Sequence, residues 1–100
     1  MLQLAWQKTN VDHLTQIMVF GNGMLPLYRH GDQLIVSDSI PVKIGDRIII
    51  KSSMHGTLGG TLIYRDSKRI VINIGGVAKK SCSLDMPDVG FLGRIVWASQ

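Results

Sequence analysis

Short runs of β-branched and aliphatic residues, each closed off by Gly, Asp or Ser, recur along most of this chain and constrain it more than any other feature. The clearest runs are residues 33–37, 47–51, 61–65, 68–73 and 91–98. Their length and spacing predict strands of a small barrel or sandwich rather than helices. The separators His30-Gly31-Asp32, Ile44-Gly45-Asp46, His55-Gly56 and Asp66-Ser67 carry turn chemistry, since Gly tolerates positive φ and Asp bonds to nearby backbone amides. All seven acids are Asp and none is Glu, which removes a strong helix former and keeps the acid that favours turns. The expected fold is therefore mainly β.

With 100 residues, 45% of them hydrophobic and 18% charged, the chain suits one domain over 1–100 with its own core. Residues 1–16 form a lead-in with no decisive pattern. Val11, Leu14, Ile17 and Met18 fit one face of a short helix, whereas residues 17–20 read better as a strand running into Gly21-Asn22-Gly23, and residues 7–14 stay open. Residues 75–90 lack periodicity and read as a long surface loop with one short extended piece. The block Gly31-Asp32-Gln33-Leu34-Ile35-Val36 is echoed fourteen residues later by Gly45-Asp46-Arg47-Ile48-Ile49-Ile50. No apolar run approaches the roughly 20 residues of a membrane-spanning helix, and no signal peptide is evident, so the expected location is the cytoplasm.

The residue inventory argues against several chemistries. One cysteine, Cys82, excludes an intrachain disulfide framework, and His13, His30 and His55 lack metal-ligand spacing. No metal and no cofactor is expected. Gly21-Asn22-Gly23 and Gly59-Gly60 match no phosphate-binding pattern and read as turns. Eleven Lys and Arg against seven acids give +4, but the cations are dispersed. A nucleic-acid site would need Lys68, Arg69, Lys79, Lys80 and Tyr64 on one face. A hydrolase built from Lys51, Ser52 and Ser53 meets the difficulty that strand neighbours point to opposite faces.

Residues 19–36, Val-Phe-Gly-Asn-Gly-Met-Leu-Pro-Leu-Tyr-Arg-His-Gly-Asp-Gln-Leu-Ile-Val, stand out from this background. They resemble the signature of the LexA and lambda-repressor peptidase family, in which a strand leads to Gly-Asp-Ser-Met-x-Pro, a spacer, Gly-Asp and a hydrophobic strand. Gly45-Asp46 with its strand looks like the family's second Gly-Asp element, and Leu92-Gly93-Arg94-Ile95-Val96-Trp97 is similar to its closing strand. The resemblance spans residues 17–98. It implies a bent, partly closed β-sheet domain like that of LexA and signal peptidase, with little helix.

The family's chemistry is a Ser-Lys dyad, with a buried neutral lysine as base. Carried over by position, the nucleophile falls on Gly23 and the lysine on Tyr64, whose phenol, with an ordinary pKa near 10, is a poor base. Asn22 replaces the usual Asp, and the Ala-Gly and Cys-Gly bonds at which members cut themselves are absent. The resemblance thus implies a member that is not an enzyme. Gly21, Met24, Pro26, Gly31, Asp32, Gly45 and Asp46 remain as structural parts of the motif.

As a function it implies the assembly and regulatory domain of a phage-type or LexA-like transcriptional repressor. Such a domain pairs with itself, works with a separate N-terminal helix-turn-helix domain that binds DNA, and could answer to an antirepressor protein. Phe91, Ile95 and Trp97 on the C-terminal strand are the candidate interface, that strand being expected at a free sheet edge. For Phe91 and Trp97, outward and core positions fit the sequence equally. Direct nucleic-acid binding by a small basic barrel, and hydrolysis by an unrecognised nucleophile, are the alternatives.

Overall fold

The computed structural model describes residues 3–8, 14–20, 28–74 and 80–99. These form eight strands and one short 3-10 turn: β1 (Gln3–Lys8), β2 (Leu14–Phe20), β3 (Gln33–Ser37), β4 (Arg47–Ser52), β5 (Gly56–Arg65), β6 (Arg69–Ile74), β7 (Lys80–Asp85), the turn Met86–Asp88, and β8 (Val89–Ala98). All adjacent pairs are antiparallel in one sheet ordered β1-β2-β3-β8-β4-β5-β6-β7. The protein is mainly β, as its turn-punctuated runs require.

Two meanders, β1-β2-β3 and β4-β5-β6-β7, are joined by the last strand, which returns between them. Because β8 is antiparallel to both β3 and β4, those two run parallel to each other on either side of it. Their first residues follow Gly31-Asp32 and Gly45-Asp46, so the echo in sequence corresponds to two equivalent strand entries.

The apolar interior is in two parts. One comprises Ile17, Val19, Tyr28, Leu34, Val36 and Ile49, with Phe91, Ile95 and Ala98 packed on it. The other comprises Ile48, Ile50, Leu62, Ile70, Ile72 and Leu84, with Leu58, Ile74, Met86 and Leu92 among its flanks. Successive strand side chains point to opposite faces. Ile48 and Ile50 therefore enter one part and Ile49 the other, which is why β4 is an unbroken apolar run.

Two expectations are filled in and two are corrected. Residues 14–16 extend the second strand, which carries Ile17 and Val19 inward at period two. Within residues 75–90 the expected short extended piece is a full strand: β7 pairs with β6 from Ile74↔Lys80 to Arg69↔Asp85. Its sequence, Lys-Ser-Cys-Ser-Leu-Asp, hides the strand because an edge strand buries one face only, here Leu84 and, partly, Cys82. Gly59 and Gly60 lie within β5 rather than in a turn. A Cβ on Gly60 would lie 2.1 Å from the backbone oxygen of Asn73, so close strand approach excludes a side chain there. Finally, β8 is central, and the edges are β1 and β7.

Candidate functional site

The two Gly-Asp elements share one hydrogen-bond scheme. In the first, the Arg29 N–H donates to Asp32 Oδ2 at 2.8 Å and the Asp32 N–H to the Arg29 carbonyl at 3.0 Å. In the second, Lys43 N–H donates to Asp46 Oδ2 at 2.8 Å and Asp46 N–H to the Lys43 carbonyl at 3.0 Å. Gly31 and Gly45 supply the positive φ, 92° and 96°, that turns each chain outward. Gly31 then donates to the Val19 carbonyl and Gly45 to the Leu62 carbonyl, both at 2.8 Å. Each turn thus bends away from β8 and is anchored to the next strand out. Gly21, Gly23, Met24 and Pro26 lie outside the described residues, so the motif's first half has no described partner for Tyr64.

Tyr64 sits at the end of β5, where a register shift between Leu62 and Tyr64 leaves Ile63, Tyr64 and Arg65 all exposed. Its hydroxyl donates to Asp66 Oδ2 at 2.7 Å, and the Arg69 guanidinium lies 5.1 Å from its ring centroid. Asp66 Oδ1 accepts from the Lys68 and Arg69 amides, both at 2.8 Å, closing the expected tight hairpin. The Tyr64 bond lowers the Asp66 pKa, helped by those two amides, while the same bond to Asp66 raises that of Tyr64 above its ordinary value. The phenol holds its proton more firmly than a free tyrosine does.

The three interface candidates separate. Phe91 and Ile95 pack on the first core, whereas Trp97 is 52% exposed and neighbours Val96, also exposed. β8 changes partner along its length. Its pairing with β4 ends at Ile48↔Arg94, and among the described residues the 95–98 segment is paired only on its β3 side. The second Gly-Asp turn creates this gap, by drawing the chain before β4 toward β5. The gap is a polar groove of about 480 Å³ lined by Tyr28, Asp46, Arg47, Arg94 and the end of β8. Arg47 lies over the Tyr28 ring at 5.9 Å, and Arg94 Nε is 3.6 Å from Asp46 Oδ2.

A second open cleft, of about 710 Å³, lies beside Met54, His55, Lys68, Asp85 and Asp88. Ser52, largely buried, donates from its hydroxyl to Asp88 Oδ2 at 2.7 Å, and the Ser53 hydroxyl is bonded to Asp88 Oδ1. Ser52 Oγ also accepts from the His55 amide at 3.0 Å, so the group fixes the β4–β5 turn. The bond from Ser53, then that from Ser52, lowers the pKa of Asp88. Lys51, the neighbouring strand residue, alternates away from Ser52. The role of Asp88 is not legible in the sequence, because its partners are 35 and 36 residues away.

The cations named for a nucleic-acid face do not converge. Arg69 pairs with Asp85 at one end of β7 and Lys80 with Ile74 at the other, about 17 Å apart at strand rise. Lys79 lies outside the described residues. Among the described residues no three His, Cys, Asp or Glu side chains stand together as a metal site, and no helix is long and apolar enough to cross a membrane. Compared with protein-family models, curated proteins and solved structures, the chain matches none.

Proposed function

We propose that this chain is a self-assembling regulatory module of the LexA and lambda-repressor type, with a bent, partly closed sheet and without the Ser-Lys dyad. Its DNA contact would come from a separate helix-turn-helix domain, whose operator affinity rises when two copies are held together. The observation that carries the reading is the end of β8: among the described residues, 95–98 are paired on one side only, beside a half-exposed Trp97. Free strand backbone next to a large aromatic suits symmetric pairing with a second copy. The lost dyad is supported by the absence of a side chain at Gly23 and by a Tyr64 phenol that keeps its proton at neutral pH.

Sedimentation equilibrium across micromolar concentrations tests assembly without any ligand. A concentration-dependent dimer or larger species is expected, weakened by Trp97→Ser with the far-UV spectrum unchanged. A strict monomer would remove this function.

A further inference from the structure

We propose that the groove between the second Gly-Asp turn and residues 95–98 of β8 binds an extended acidic segment of a partner protein. Addition of a strand needs unpaired backbone and side chains that select the incoming sequence. The backbone is that of residues 95–98, about 13 Å of strand that faces the groove and has no second strand beside it among the described residues. The selection comes from guanidinium groups, that of Arg47 above all. Arg47, exposed and stacked over Tyr28, has no carboxylate partner among the described residues. Arg94 also lines the groove, its Nε 3.6 Å from Asp46 Oδ2. The Asp46 carboxylate balances the charge of Arg94, so the groove's net positive charge is that of Arg47.

A peptide fits better than a nucleic acid, because strand backbone finds matching donors and acceptors in a peptide and none in a sugar-phosphate chain. Carboxylates spaced two residues apart on the incoming strand would lie on one face, where arginine forms paired, charge-assisted bonds. The segment would use the β8 edge invoked for self-pairing, so this inference deepens the proposed function by naming what releases the assembly.

The test is fluorescence anisotropy of a labelled octapeptide of alternating valine and glutamate, added to the 100-residue chain at concentrations where it sediments as a monomer. Expected is saturable binding that weakens with salt, falls about tenfold or more in Arg47→Glu, and is lost when alternate valines are N-methylated. The N-methyl arm needs no protein variant, and Arg47→Gln gives a milder substitution should the charge reversal unfold the chain. Equal binding of an octapeptide of alternating valine and lysine, indifference to N-methylation, or tighter binding of an oligothymidylate would overturn the proposal. At assembling concentrations the saturating peptide should shift the chain to monomer, and a peptide-bound dimer would overturn the shared edge. A chain that never assembles removes the self-pairing reading alone, because the anisotropy result stands on the monomer.

Discussion

At Gly60 a single methyl group decides whether β5 and β6 meet. A Cβ there would sit 2.1 Å from the Asn73 backbone oxygen, which cannot rotate away as a side chain can. Gly60→Ala should destabilise the protein by about 3 kcal/mol or more in urea unfolding, the range of severe overpacking. Gly45→Ala meets open space and only the strain of its positive φ, so about 1–2 kcal/mol is expected. The pair measures steric exclusion against backbone strain. Acid stability belongs to the same scale. Asp66 and Asp88 have depressed native pKa values, so the stability they contribute is complete above the ordinary carboxylate range and is lost as pH falls through those native values. Asp88→Asn should therefore lower Tm at neutral pH while flattening its dependence on pH below about 4. Tyr64 runs the other way: with a raised native pKa, its contribution is present below the ordinary tyrosine value and disappears as pH rises through the higher native one. These contacts escape a reading of local sequence except at Asp66, whose partners are all within three residues.

Among the elements, β8 shows how one strand can hold two roles. Its first half lies against β4 and its end against β3, with Arg94 paired to both. Phe91 and Ile95 anchor the first core, and Trp97 faces out. Ile95→Ala should accordingly cost about 1–3 kcal/mol in denaturant unfolding. Trp97→Ser should change stability by less than about 1 kcal/mol and act on association instead, and a large loss of stability would mean that Trp97 serves the fold. The strand's existence was legible from its apolar run, but not its central position, because pairing order depends on where the chain returns. The lead strand β1 is not legible as a strand, and the edge strand β7 is legible only as a short extended piece, for a related reason. Polar residues such as Lys80, Ser81 and Ser83 are tolerated on an edge that faces water, which removes the alternation a reader relies on.

For the molecule as a whole, the consequence is a sheet with two interiors meeting at β4. Leu34→Ala and Ile72→Ala, one in each core, should each cost about 2–5 kcal/mol. Their effects should add to within about 0.5 kcal/mol, since they share no contact cluster. A coupling well beyond that would mean the cores repack together. By itself the sequence determined that the chain is mainly β, that Gly31-Asp32 and Gly45-Asp46 open equivalent strands, and that Asp66 closes a hairpin. Those outcomes rest on backbone preferences and bonds spanning a few residues. Only the tertiary structure decided that Gly60 must be bare, that Ser52 and Ser53 meet Asp88, and that β8 is central with one end exposed beside Arg47 and Arg94. Each depends on strands far apart in sequence coming within bonding distance, and the energies that select those pairings are written in no single segment.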